Sequence, residues 1–329
     1  MMKYVDLPEM PVRRLTFYLA TEEYVARNFD ESECFFMWQV KPTVIFGRNQ
    51  LIENEVNLTY CREHGIQTYR RKSGGGCVFA DMSNIMFAYI TQDTAVRYTF
   101  DKYLRMVAHV LQGLGIEAEA SGRNDITING KKVSGNAFYH VPGKSIVHGT
   151  MLFNTDMEHL IRSITPSDEK LVSKGIRSVR QRVTNLSEYI SMDIEEFKKY
   201  IRDSLCGDEK LTLDEDDVKK IEAIEAEYLT DEFIYGNNPH YTVSRKMKIE
   251  NAGEFDIRIE LQNNIIKSIN MLGDYFLVGD LDHGILSRLR NIEYTPEAVS
   301  DALADVIIEN HIMNLNKRQF IDLLFKTSN

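Results

Sequence analysis

The chain reads as an α+β protein, with a mixed sheet core flanked by helices and a small α+β C-terminal domain. Three observations predict this. Strand-like runs and helical periods are interleaved without a regular βαβ spacing. Asn129-Gly130 between alternating residues marks a tight antiparallel hairpin. Near residue 245 the texture changes to short strand-like runs separated by glycine- and asparagine-rich turns. The expected division is therefore 1–244 and 245–329. FIYGNNPHYTVS at 233–244 is the expected linker, because glycine, two asparagines and proline break periodicity there.

KPTVIFGRN (41–49) predicts a short buried strand with Gly47 and Arg48 at its exit. NEVNLTYCREHGI (54–66) predicts a helix stopped at Gly65, where a C-terminal cap would sit. IQTYRR (66–71) is a second strand. CVFAD (77–81) and NIMFAYIT (84–91) read as strands paired with each other. FDKYLRMVAHVLQGLG (100–115) has helical apolar spacing and ends in glycine, and SIVHGTMLF (145–153) is a further strand. In 246–280 the strand-like runs are separated by NAG, NN and GD turns, followed by helical patterns at 295–309 and 316–325.

Composition excludes several classes. The 329 residues are 43% hydrophobic and 27% charged, an ordinary globular balance. No run approaches the ~18 apolar residues of a membrane span, and the N-terminus lacks the apolar core of a signal peptide. A net charge of -10 does not attract nucleic acid. Cys34, Cys61, Cys77 and Cys206 form no CxxC pair, which argues against a zinc site or disulfide framework and fits a reducing cytoplasm. Charge is unevenly spread: 169–185 carries Lys170, Lys174, Arg177, Arg180 and Arg182, whereas 213–232 is acidic with helical spacing.

RRKSGGGCVFAD (70–81) sets two arginines and a lysine before three glycines. Three glycines cost backbone entropy, so a sharp turn or a very close backbone approach must offset them. In a phosphate-binding P-loop a lysine follows the glycines and a helix comes next; here the cations come first and a strand follows. The dinucleotide fingerprint fails too, because Gly74, Gly75 and Gly76 are contiguous. The loop's amides and the neighbouring cations can still hold an anion or a carboxylate.

DITINGKKVSG (125–135) is the most residue-specific feature. A two-residue turn at Asn129-Gly130 pairs Ile128 with Lys131, Thr127 with Lys132, Ile126 with Val133 and Asp125 with Ser134. Alternation then gives one face to Ile126, Ile128 and Val133, with Lys131 near the tip. Asp125, Thr127, Lys132 and Ser134 share the other, polar face. SGRND before the hairpin and SGNAF after it offer small residues that pass close to a ligand.

Together these stretches resemble the lipoate–protein ligases, within the wider biotin/lipoate ligase fold. The match rests on RRKSGGGCVFAD (70–81), SGRNDITINGKKVSGNAF (121–138), HGTMLFNTD (148–156) and KGIRSVRQRVTNL (174–186), in the family's order. GEFDIRIELQNNIIKSINMLGDYF looks like the accessory domain of the longer ligases. The resemblance implies a two-step reaction. Lipoate and Mg-ATP give lipoyl-AMP and pyrophosphate; the acyl group then passes to a lysine of a lipoyl domain, in a 2-oxoacid dehydrogenase subunit or the glycine-cleavage carrier. Carried over by position, Lys132 sits at the reaction centre. Arg71 and the backbone of Gly76, Cys77, Val78 and Phe79 contact the nucleotide. Arg70, Ser73, Gly74 and Gly75 line the lipoate path. Lys174, Gly175 and Arg177 belong to a loop that closes over the adenylate, while Asn124, Asp125, Ser134 and His148 support the site. Metal ligands are not assigned.

The chain departs from the family twice. Cys77, read here as a small buried thiol, replaces a usual alanine, and Ala80 replaces a histidine common in the pattern GGGAVxHD. Two other functions stay open at this level. One is an octanoyl or lipoyl transferase of the same fold, which in its acyl-enzyme form needs an activated cysteine. The other is a non-catalytic binder of acylated carrier proteins. A biotin ligase fits less well, because the motifs match the lipoate branch.

Overall fold

The structure is a computed structural model and describes all residues except 1, 51, 94, 122–123, 165–180, 236–242, 263 and 326–329. Contacts divide the chain into two compact units. The first comprises 1–46, 52–71 and 77–234; the second comprises 47–51, 72–76 and 235–329. Two short loops of the N-terminal sequence, one of them holding the three glycines, thus pack into the C-terminal unit. Among the described residues no helix is long and apolar enough to cross a membrane.

The first unit is built on an eight-stranded mixed sheet. Its strands are β1 (Lys3–Asp6), β2 (Glu33–Trp38), β6 (Ile85–Thr91), β7 (Ala118–Ser121), β8 (Asp125–Ile128), β9 (Lys131–Val141), β10 (Lys144–Met151) and β11 (Lys210–Thr212). Their spatial order is β11-β1-β2-β6-β10-β9-β8-β7, parallel around β1 and antiparallel elsewhere. A second sheet has β3 (Thr43–Phe46) at its centre, parallel to β4 (Gln67–Arg70) and antiparallel to β5 (Val78–Ala80). Helix α1 (Leu15–Asn28) lies on the main sheet, and its apolar residues share a core with Phe36, Trp38, Ala88 and Ile146. Helix Val96–Gln112 realises the expected amphipathic stretch. The acidic stretch forms helix Glu215–Tyr228, whose cap Asp214 accepts from the amides of Asp216 and Asp217.

The strands β5 and β6 do not pair with each other, contrary to the sequence expectation. Asp81 accepts from the amide and hydroxyl of Ser83 in the intervening turn, and the chain crosses there from the small sheet to the large one. Every residue of β6 is buried, as suits a central strand covered on both faces, so its partners are β2 and β10.

The C-terminal part of the second unit is an antiparallel meander of β12 (Val243–Ile249), β13 (Gly253–Gln262) and β14 (Ile265–Tyr275), with helices Pro296–Ala302 and Lys317–Phe325. Asn251 and Asn264 take positive φ at the two expected turns. Gly273-Asp274 is not a turn. It lies inside β14, where a Cβ on Gly273 would come within 2.1 Å of the Glu254 carbonyl oxygen. A glycine within a strand here serves close backbone approach. The expected linker starts later than 233, since Asp231–Tyr235 is helical, and 236–242 lie outside the described residues.

Candidate active site

Lys132 is positioned by the predicted hairpin. Asn129 (φ 52°) and Gly130 (φ 72°) form the tight turn, and Ile128–Lys131 and Thr127–Lys132 pair as expected. Beyond them the register shifts: Ile126 faces Ser134 and Asp125 faces Gly135. A β-bulge inserts one extra residue on β9, so the expected pairs Ile126–Val133 and Asp125–Ser134 do not form. The apolar face survives, with Ile126, Ile128 and Val133 all buried. Sequence alternation cannot announce a bulge, because one extra residue leaves both flanking patterns intact.

The bulge sets the geometry of the lysine. Lys132 Nζ lies 2.7 Å from Asp125 Oδ1, with both side chains about one-third exposed. Its shaft runs over Gly135: a Cβ there would lie 2.6 Å from both Cε and Nζ of Lys132. An ion pair this exposed adds roughly 0–1 kcal/mol to stability. Its main effect is to orient the ammonium.

A polar network adjoins this lysine. Asn136 donates through Nδ2 to the Asn124 carbonyl (3.1 Å) and to Ser134 Oγ (3.1 Å), and Asn124 Nδ2 donates to the Asn136 carbonyl (2.9 Å). Asn136 fits only because its neighbour on β10 is Gly149, where a Cβ would fall 1.8 Å from Asn136 Oδ1. Asn136 and Gly149 were not singled out by sequence, although both lie within the recognised stretches. The amide of Thr184 donates to the Lys132 carbonyl (3.0 Å), and Val183 bridges to Lys132. The chain leaving the basic run is thus tied to the strand that bears the lysine. Lys174, Gly175 and Arg177 themselves lie outside the described residues.

His148 sits within β10, buried, with Nδ1 2.7 Å from Glu22 Oε2 of α1. Burial raises the Glu22 carboxyl above its usual range, and the histidine opposes that shift. Among the described residues, Glu22 Oε1 and Trp38 Nε1 are buried without a hydrogen-bond partner. This face of the sheet can therefore accept a polar group or water. Glu22 was missed from sequence: beside Glu23 it reads as an ordinary helical acid, and only its burial reveals it.

Arg70 and Arg71 are both buried. Arg70 donates from Nε to the Ile234 carbonyl and stacks on Phe46 at 4.6 Å; Arg71 donates from Nη1 to the Ile45 carbonyl. These bonds help hold each guanidinium in place. Phe79 is in the core beside Val44 and Phe46, so only its backbone is available to a ligand, and Val78 pairs with Ile45. Cys77, just before β5, is half-buried rather than buried. Burial raises the other three thiols, Cys34 and Cys61 to about 11 and Cys206 to about 12. Thiols held protonated in this way are poor nucleophiles.

Ser73 and the three glycines fall in the second unit. Ser73 accepts from the Arg48 amide (2.9 Å), and Gly75, at φ 91°, donates its N–H to the Tyr275 carbonyl (3.1 Å). A Cβ on Gly74 would lie 2.3 Å from that same carbonyl oxygen, and one on Gly76 would lie 3.0 Å from Asp274 Oδ2. The end of β14 thus crowds Gly74 and Gly76, while Gly75 answers to its positive φ.

Comparison with known proteins identifies the family. The family described as lipoyl protein ligase A/B catalytic domain matches residues 15–206, and bacterial lipoate protein ligase C-terminus matches 238–324. The chain is similar to lipoate–protein ligase 1 of Staphylococcus aureus, with 37% identity over 87% of this chain and 90% of that protein. It is 33% identical to lipoate-protein ligase LplJ of Bacillus subtilis, over 93% and 96% of the two chains. Among solved structures, a lipoate-protein ligase A bound with ATP superposes with a TM-score of 0.62 at 25% identity, covering 72% of this chain and 99% of that one. A bipartite lipoate protein ligase of Thermoplasma acidophilum, studied with its E2 lipoyl domain, gives 0.65 at 27%, covering 74% and 100%.

Proposed function

The chain belongs to the lipoate–protein ligase family, and from that membership we propose how its residues divide the work. The enzyme is an ATP-dependent lipoate–protein ligase, acting on lipoate, ATP and lipoyl-domain proteins. In the first step the lipoate carboxylate attacks the α-phosphorus of ATP and pyrophosphate leaves. In the second, a lysine ε-amine of the acceptor attacks the acyl carbonyl and AMP leaves. Magnesium enters with the nucleotide as Mg-ATP, an ion that keeps phosphate oxygens and waters as most of its ligands.

Lys132 is the catalytic residue of this reading. Two anions must meet in the first step, and a fixed ammonium lowers their repulsion and stabilises charge developing on the phosphoryl oxygens. In the second step it polarises the acyl carbonyl. A mixed anhydride already carries a good leaving group, so no enzyme nucleophile is required, in keeping with three thiols held protonated by burial. Asp125 orients the lysine, and Asn124 and Ser134 brace the strand beside it. Arg71, with the backbone of Gly76, Cys77, Val78 and Phe79, holds the nucleotide, while Arg70, Ser73, Gly74 and Gly75 serve the lipoate path. His148 supports from its buried pair with Glu22. Lys174 and Arg177 close over the adenylate and shield it from water. The acceptor is a 2-oxoacid dehydrogenase subunit or the glycine-cleavage carrier, the catalytic and accessory domains span 1–244 and 245–329, and the setting is the cytoplasm.

The observation that carries the assignment is the lysine ammonium pinned between Asp125 and Gly135 on a motif of this family. Incubation with lipoate and Mg-ATP should release pyrophosphate, and Lys132→Ala should abolish modification of a lipoyl domain while the protein remains folded. Normal turnover by that variant would remove Lys132 from the reaction centre; no pyrophosphate from the wild type would reject the ligase reading.

A further inference from the structure

Side chains from three separate stretches of the first unit are joined in series beside Lys132. The turn between β5 and β6 carries Asn84, fully buried, whose Nδ2 donates to the Phe79 carbonyl (3.3 Å). The chain leaving β10 carries Thr155, also buried, whose hydroxyl donates to Asn84 Oδ1. Asn185 closes the set: its Oδ1 accepts from the Thr155 amide (3.0 Å), and its Nδ2 donates to the Thr155 carbonyl (3.2 Å). The main-chain N–H and C=O of Asn185 are both engaged by Glu188, so this pairing falls to its side chain. One peptide link away, Thr184 gives its amide to the Lys132 carbonyl. β10 ends at Met151, opposite Ser134 and short of Lys132, so Thr184 supplies the backbone partner that β10 does not. A chain of hydrogen bonds thus leads from the Phe79 backbone to the Lys132 backbone, with every member in the first unit.

We propose that Thr155 and Asn185 are positioning residues: with Asn84 they hold the strand of Lys132 in a fixed relation to the backbone of β5. The inference rests on the ligase reading, in which the Phe79 main chain contacts the nucleotide and Lys132 bridges carboxylate and phosphate. A displacement of ~1 Å at a reacting group can cost about 100-fold in rate, so the spacing between those two parts of the site matters to the chemistry. Buried side-chain hydrogen bonds are a stiff way to keep it, because a buried donor or acceptor left unpaired is costly. The members of such a network therefore move together or not at all. The two supports of the lysine divide the work. The ion pair with Asp125 sets where the ammonium points, and the Asn84–Thr155–Asn185 relay sets where the strand that carries it stands.

The test uses the full chain and three relay variants. Thr155→Val removes the hydroxyl at nearly constant volume, Thr155→Ser keeps it, and Asn185→Asp replaces the donor to the Thr155 carbonyl with an oxygen. Pyrophosphate release at varied lipoate and saturating Mg-ATP gives kcat and KM, and thermal melts ensure that rates refer to folded enzyme. The relay predicts that kcat falls about tenfold in Thr155→Val and in Asn185→Asp, while KM for lipoate stays within about threefold of wild type. Thr155→Ser should restore kcat. Ser187→Ala loses an exposed bond to Asn154 in the same turn, outside the relay, and should match the wild type. If Thr155→Val does not fold, Asn185→Asp, at a half-buried position, carries the same prediction. Variants that melt lower but keep the wild-type kcat, or that raise KM alone, make the network merely structural; they overturn the proposal and leave the ligase reading standing. A wild type that releases no pyrophosphate removes both.

Discussion

Replacing Gly135 by alanine places a methyl group where the end of Lys132 now lies. The added Cβ would sit 2.6 Å from both Cε and Nζ of that lysine. Ordinary carbon contacts begin near 3.5 Å, so the lysine end must retreat by about 0.9 Å. It can do so because it is a flexible side chain, one-third exposed, and the ion pair it leaves contributes roughly 0–1 kcal/mol at such exposure. The fold should therefore tolerate the change, with a melting temperature close to wild type. Catalysis should not: a displacement of ~1 Å at a reacting group can cost about 100-fold in rate. Pyrophosphate release and single-turnover transfer to a lipoyl domain, measured beside thermal melts, separate the two effects. A Gly135→Ala enzyme that melts and turns over like wild type would refute the idea that the lysine's position over Gly135 matters.

Asp125→Asn removes the ionic partner while preserving shape, so stability should change by less than about 1 kcal/mol and kcat should fall about tenfold or more; rescue by Asp125→Glu, but not by alanine, distinguishes orientation from packing. Cys34, Cys61 and Cys206, held protonated by burial, should label slowly with iodoacetamide at pH 8, where a thiol of pKa about 11 is roughly 0.1% thiolate, while half-buried Cys77 labels faster. The three serine variants should keep lipoyl transfer; its loss in any one would revive an acyl-enzyme route. Glu22 has its carboxyl raised by burial, so the folded state holds this proton more tightly than the unfolded chain. Its stabilising contribution is complete below the ordinary glutamate range and is lost as pH rises through the raised value. Glu22→Gln should flatten this dependence, and urea melts from pH 4 to 8 that stay parallel for both proteins would contradict the assignment.

By itself, the sequence determined the local devices. Asn129-Gly130 dictated a tight turn, and a tight turn with period-two alternation placed Lys132 on the same polar face as Asp125, Thr127 and Ser134. That much needs only neighbours in the chain. The three glycines at 74–76 also declared either a sharp turn or a close approach to the backbone, since one of the two must offset their entropy cost.

Tertiary structure decided everything that depends on a partner far along the chain. Which strands β5 and β6 join is a matter of sheet assembly, and a buried run such as NIMFAYIT carries no address for its neighbour. The bulge on β9, which brings Gly135 opposite Asp125, leaves no mark in a hydrophobic pattern. Glu22 looks like an ordinary helical acid until α1 buries it on His148, 126 residues away. What approaches the three glycines was equally invisible. In this structure it is the end of β14, some 200 residues on, because close packing of backbone on backbone is specified by the absence of side chains and by nothing else in the sequence.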